Sequence, residues 1–364
     1  MFIVTNRSLN LRTGTFGPIL NPNGPNELRV AEAVRTRNGW KINHLPDQIT
    51  RDMKKEVGLR GDVAFGSAYV ARKLLSRINP FSAKVLGLKT SGKFGKNLAL
   101  FVHAFNNDVE AVLDQARSWE TSCGVEVLLF TWPANAGGVV GAASRTIDRR
   151  DALASVGALG RVLQLFSHYV DEFTHGVYVR AIHEAQMRFP KDPGKAMRHF
   201  ARTTARYCPF GCSLVIHGMG AYLYKYVLLT SDRDENRAVF DNVLLVGPEV
   251  SNENAARWIS RIQCKNQIYI TFNEQDSTFV ASGVGSRDEG QSQLGRKGLA
   301  LESSQATYVD FSNTRGVGNS STYFMGRPMS GNASVKRFFR DAVNGANGHL
   351  RLPYDSAKKA FAVP

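Results

Sequence analysis

The chain is short of cysteine, short of acid and without a long apolar run. Its four cysteines, Cys123, Cys208, Cys212 and Cys264, are too few in 364 residues for a disulfide-stapled scaffold. A reduced, cytoplasmic setting is therefore expected. Cys208 and Cys212 stand four apart with no second pair to complete a zinc site, so no metal is expected. No apolar stretch reaches the roughly 18 residues of a membrane span. The opening Met1-Phe2-Ile3-Val4-Thr5-Asn6-Arg7 lacks the basic-then-apolar order of a secretory leader. There is no P-loop and no G-x-G-x-x-G after a strand, so no cofactor is expected. Internal repeats and low-complexity tails are also missing. Asp and Glu number 31 against 46 Lys and Arg, a net charge of +15. That balance suits an acidic partner such as nucleic acid, anionic lipid or an acidic protein, and equally a basic surface with no dedicated partner.

What is present is an alternation of strand and helix patterns. Apolar residues make up 43% of the chain, enough for a sizeable core. Phe2–Thr5 reads as a strand, and residues 21–26 as a Pro- and Gly-bearing loop. Residues 27–37 fit either strand or helix. Residues 50–90 read as basic helix and connection, and 90–96 as a polar loop. Strands are expected at 97–103, 125–131, 213–216, 243–246, 267–272 and 306–311. Helices are expected at 107–119, with Asn107 as N-cap and Glu110 closing a capping box, and at 145–173, 221–228, 257–262 and 335–343. Strands alternating with helices predict an α/β fold: a mostly parallel central sheet with helices on both faces, in one domain spanning 1–364. Residues 1–96 form its N-terminal strand, loop and helix region. Residues 174–212 read as a basic helical insertion, either a cap near the strand ends or a solvated face. It carries Arg180, Arg188, Lys191, Lys195, Arg198, His199, Arg202 and Arg206.

The centre of the pattern is Ser213-Leu214-Val215-Ile216-His217-Gly218-Met219-Gly220-Ala221. A buried strand, a small-residue turn and an apolar helix reproduce the nucleophile elbow of α/β-hydrolases, normally G-x-S-x-G. Gly220 fills the second glycine position and Ile216 the first. The nucleophile position is Gly218, which has no side chain. Glycine adopts the strained elbow angles freely, so the turn is expected to survive the exchange.

Several motifs in order extend the likeness over nearly the whole chain. They are Ile3-Val4-Thr5-Asn6-Arg7, Gly24-Pro25-Asn26-Glu27, His103-Ala104-Phe105-Asn106, Val127 to Pro133, the elbow, Ala256-Arg257-Trp258 and Asn273-Glu274-Gln275-Asp276. The chain resembles a bacterial branch of α/β-hydrolases whose biological role is poorly defined. Relatives carry a His-Gly-Phe-Asn turn, a His-Ser-Met-Gly elbow and a late Gly-Asp-Ser-His-x-Tyr-Phe segment. By that resemblance the backbone N–H groups of Phe105 and Met219 form the oxyanion hole, with Ala104 replacing the family's turn glycine. Asp276 takes the position of the triad acid, and Glu249 is an alternative acid on a neighbouring strand end. Ser321, in Gly318 to Phe324, occupies the histidine position, where a hydroxyl cannot serve as a base near neutral pH. His103 reads as a packed core histidine. His217 is expected to point away from the strand end, and Cys212 lies at the wrong end of its strand.

Three functions follow. One is a catalytically degenerate hydrolase-fold protein acting as a binding or regulatory module, holding a small acyl or carboxylate ligand against Phe105 and Met219. Another is an active esterase, thioesterase or amidase with an atypical site. The last is a basic nucleic-acid or anionic-surface binder.

Overall fold

The computed structural model describes residues 1–10, 12–59, 61, 65–85, 87–88, 96–134, 142–207, 211–231, 238–278, 293–296 and 303–364. Cys208, most of the polar loop expected at 90–96 and most of residues 132–141, which the glycine- and alanine-rich sequence marks as a loop, lie outside them. The chain opens with β1 (Phe2–Thr5), a hairpin of β2 (Arg7–Asn10) and β3 (Thr15–Leu20), and the pair β4 (Arg29–Thr36) and β5 (Gly39–Leu45). Helices α1 (Arg51–Glu56), α2 (Gly66–Ile78) and α3 (Pro80–Val85) lead into β6 (Leu98–Val102). Next come α4 (Val109–Cys123), β7 (Glu126–Thr131), α5 (Ala142–Ala154), α6 (Val156–Arg188) and α7 (Pro193–Tyr207). Then β8 (Cys212–His217) turns into α8 (Gly220–Thr230), followed by β9 (Asn242–Val246), α9 (Ala255–Ile259), β10 (Gln267–Phe272) and β11 (Ala306–Asp310). The chain closes with α10 (Gly326–Gly331), α11 (Ala333–Val343), β12 (Tyr354–Asp355) and β13 (Ala360–Ala362).

Among the described residues one sheet holds eleven strands, in the order β12-β13-β11-β10-β9-β8-β6-β7-β1-β4-β5. The run from β13 to β1 is parallel throughout, while β4, β5 and β12 are antiparallel edges. Every residue of β6, β7, β8 and β9 is buried. Strands covered on both faces read as continuous apolar runs, which is why these four stand out in the sequence. Alternate side chains divide the core. Leu98, Leu100, Val102, Leu214 and Ile216 face α2, α6, α8 and α9, whereas Ala99, Phe101 and Val215 face α4 and α11.

The chain leaves β6 for β7 on one side and returns to β8 on the other. The carboxyl ends of β6 and β8 therefore flank a topological switch point, where open α/β sheets place their ligands. Gly220 makes this junction tight. A Cβ there would lie 2.8 Å from the carbonyl oxygen of His103 and 3.1 Å from Val102 Cγ1, so only glycine lets α8 start this close to β6.

Several boundaries differ from the sequence reading. Asp108, not Asn107, caps α4, accepting the Ala111 N–H on Oδ1 at 2.7 Å. Asn107 instead donates from Nδ2 to the carbonyls of Ala104 and Phe105 and pins that turn. The helical period from 145 divides into α5 and α6, and α6 runs unbroken for 33 residues, past the insertion boundary at 174. α7 packs along α6. No helix among the described residues is long and apolar enough to cross a membrane.

Candidate functional site

At the end of β8, Gly218 adopts φ +54°, a left-handed conformation that strains any residue with a Cβ. Its N–H donates to Val246 O at 3.0 Å, and its carbonyl accepts from Glu249 N at 3.0 Å and Ala221 N at 3.1 Å. The turn is thus bonded to the end of β9 and to the first turn of α8. Met219 follows in a right-handed conformation, and Gly220 begins the helix. No hydrogen bond among the described residues uses the N–H of Phe105 or of Met219.

The space where a side chain at 218 would begin is already taken. A Cβ built on Gly218 would lie 2.7 Å from Ala104 Cβ, 3.5 Å from Ala104 Cα and 3.4 Å from Glu249 Oε1. A carbon–carbon separation of 2.7 Å is far inside van der Waals contact. With this backbone, therefore, positions 104 and 218 cannot both carry a side-chain carbon.

The three sequence-marked loops do meet here. Asn273 Nδ2 donates to the carbonyls of Gly318 (2.9 Å) and Ser320 (3.2 Å), and Ser277 N donates to Asn319 O (3.2 Å). His217 donates Nε2–H to the carbonyl of Ser321 at 3.0 Å. The elbow, the Asp276 loop and the Ser321 loop thus form one bonded cluster. What they do not assemble is a proton relay. The Oδ1 of Asp276 accepts from Thr278 N (2.9 Å) and Thr278 Oγ1 (2.7 Å), and no hydrogen bond joins Asp276 to an imidazole among the described residues. Burial raises the Asp276 carboxyl above its ordinary pKa. His217 is nearer the late loop than the sequence implies, yet its ring packs edge-on against Phe324 and burial lowers its pKa to about 4.

Two imidazole–hydroxyl hydrogen bonds occur among the described residues, and neither is placed for nucleophilic attack. His103 and Thr131, both fully buried, meet at 3.0 Å through Nε2 and Oγ1. The same hydroxyl accepts from Arg7 Nε, and Nε2 also faces the Trp132 N–H at 3.2 Å. The Thr131 hydroxyl therefore gives its proton to Nε2, and Nδ1–H goes to the carbonyl of Ala104 at 2.6 Å. His103 stacks on Trp132, and burial holds its pKa well below the usual value. This is the packed core histidine the sequence indicates. The other pair, Tyr269 with His349, joins β10 to the segment after α11.

A set of buried charges lines the same region, and the sequence reading missed most of it. Glu249 is 4% exposed and forms an ion pair with Arg145 of α5 at 3.1 Å. Burial raises its carboxyl to about 7, against the opposing pull of Arg145. One turn along α5, fully buried Asp148 accepts the Asn106 N–H on Oδ2 at 3.0 Å, and burial raises it to about 6. Asn106 is itself left-handed, φ +50°. Arg7, fully enclosed and lowered to about 10 by burial, links β2 to Thr131, Gly17 and Asn107. The available signal was the spacing of Arg145, Asp148 and Arg149, which puts three charges on one helical face.

A parallel sheet, a glycine elbow at its switch point and a second turn beside it define a protein of the α/β-hydrolase fold. Residues 83–176 match the family model described as an alpha/beta hydrolase of unknown function, DUF900. That stretch contains the His103–Asn106 turn and Asp148, and ends before the elbow. No curated protein matches the chain.

Gly218→Ser is expected to lower stability by about 2–4 kcal/mol, from overpacking against Ala104 and left-handed strain. Adding Ala104→Gly should recover at least about 1 kcal/mol of that loss in a double-mutant cycle followed by urea unfolding. Additive effects would show that the two positions do not share the space. A second expectation concerns Glu249. Its folded pKa lies above the unfolded value, so the folded state binds the extra proton. The stability it contributes is present at low pH and is lost as pH rises through about 7. The stability of wild type relative to Glu249→Gln should therefore fall by about 3 kcal/mol between pH 4.5 and 8. A pH-independent difference would contradict this.

Proposed function

We propose that this protein keeps the hydrolase framework without the hydrolase reaction and acts as a binding or regulatory module. The observation that carries the reading is the Ala104 methyl group 2.7 Å from the position a serine Cβ would take at Gly218. A chain that had lost only its nucleophile would retain room for it. Ser321 at the base position offers a hydroxyl where proton transfer requires an imidazole. The N–H groups of Phe105 and Met219, free of other partners among the described residues, suit a single carbonyl oxygen. Burial, which biases the adjacent Glu249 carboxyl toward its neutral form, also disfavours a charged ligand there, so a neutral acyl group fits better than a carboxylate. A fluorophosphonate probe on the purified wild-type protein, with a panel of nitrophenyl esters, tests the proposal. No labelling and no hydrolysis above a heat-denatured control are expected. Stoichiometric labelling would establish an atypical nucleophile and an active hydrolase.

A second reading draws on the hairpin of α6 and α7, where Arg180, Arg188, Lys191, Lys195, Arg198 and Arg202 are all exposed. Such a surface favours an acidic partner, and nucleic acid is the simplest probe. Binding to duplex DNA at low salt that weakens steeply as salt rises would support this reading. No binding at low salt would remove it.

A further inference from the structure

A cavity among the described residues lies away from the elbow. It has a volume of about 580 Å³ and lies between the sheet, α2 and α6. Cys212, Leu98, Leu128, Val4, Val30 and Leu45 line its floor, one from each of β8, β6, β7, β1, β4 and β5. These strands are consecutive in the sheet, so the cavity crosses six of them. Five inter-strand spacings of about 4.8 Å make it roughly 24 Å long. The roof is apolar as well, with Val70 and Leu74 from α2 and Val162, Phe166 and Phe173 from α6. None of Ala104, Phe105, Gly218, Met219, Glu249, Asp276 or Ser321 lines it.

The volume falls in the range of about 300–1,000 Å³ in which proteins hold small molecules. The shape narrows the class. A space this long for its volume fits an extended chain better than a ring system. A native interior is packed as densely as a molecular crystal, so an apolar space of this size is a feature to be filled. Polar groups gather at the rim, where Glu27, Asp47, Arg161 and His168 are exposed. Arg29, also at the rim, is engaged by Asp47 at 3.6 Å. Arg161 forms no ion pair among the described residues. Deeper in, the hydroxyls of Ser67 and Tyr169 satisfy each other at 3.0 Å, leaving the wall between α2 and α6 without an unmet polar demand.

We propose that this cavity binds a straight-chain aliphatic acid, its chain laid across the strands from β8 to β5 and its carboxylate at the rim against Arg161. The site shares no residue with the elbow, so it stands or falls independently of whether the elbow is catalytic. The test is calorimetric titration of the full chain with hexadecanoate below its aggregation concentration, alongside hexadecanol. Saturable binding at one site is expected. Leu74→Trp and Val70→Phe, which fill the cavity from α2, should each weaken it at least tenfold without lowering the melting temperature. Arg161→Glu should weaken the acid several-fold and leave the alcohol unaffected. Absence of saturable binding to wild type, or equal binding by a folded filled-cavity variant, would overturn the proposal. Equal affinity for acid and alcohol, unchanged in Arg161→Glu, would overturn the carboxylate assignment.

Discussion

One carbon atom organises the centre of this protein. The carboxyl ends of β6 and β8 are held together by parallel pairing from Leu98 with Cys212 to Val102 with Ile216. Gly220 lets the following helix close against His103, and Asn107 pins the opposite turn. With both walls fixed, the gap between residues 104 and 218 has room for a single methyl-sized group. It can project from 218 as the start of a nucleophile, or from 104 as an inert wall. Cores are sensitive to volume at the level of one methylene, so the two arrangements exclude each other. The Ala104 and Gly218 pair takes the second.

This constraint explains why the elbow stays recognisable without its nucleophile. The left-handed turn is required by topology, since a strand must reverse into a helix over two residues at the switch point. Glycine supplies that conformation without strain, and its backbone bonds to Val246 and Glu249 hold the turn in place. The turn depends on the backbone and needs no side chain at 218.

Much of the fold was legible because its information is local. Doubly buried strands appear as continuous apolar runs, and β1, β6 to β11 and the elbow follow from them within a residue or two. The hairpin of β2 and β3, the edge strand β5 and the short β12 and β13 were not legible. They are exposed or brief, so their sequences do not separate apolar from polar faces. Asn107 and Asp108 are both good N-caps, and neighbouring carbonyls decided between them. Around the elbow, motif order singled out positions 105, 218, 219, 276 and 321, and the loops carrying 217, 273, 277 and 318–321 do bond to one another. The buried ion pair of Arg145 with Glu249 could not, because α5 is a polar, unremarkable helix until a distant strand end supplies its partner. The Ala104 departure was visible as a substitution, but its coupling to Gly218 is a distance, and distances are not written in the chain.

The electrostatics of the elbow reinforce the steric argument. A triad works by holding an acid ionised so that an adjacent imidazole can accept a proton near neutral pH. Here burial biases the carboxyls and imidazoles at the junction toward their neutral forms. Burial raises Asp276, Asp148 and Glu249, the last to about 7, and lowers His103 and His217. Arg145 opposes this bias at Glu249, so that carboxyl sits where modest changes in surroundings alter its charge. A region that suppresses charge is poorly suited to stabilising an imidazolium and well suited to holding an uncharged group against two backbone N–H donors. A serine at 218 and a histidine at 321 would not by themselves complete a relay, because burial would still bias the Asp276 carboxyl toward its neutral form against the Thr278 hydrogen bonds that favour its ionisation. The side chains at 218 and 321 and the buried surroundings of Asp276 are separate features, and the proposal of binding without reaction rests on both.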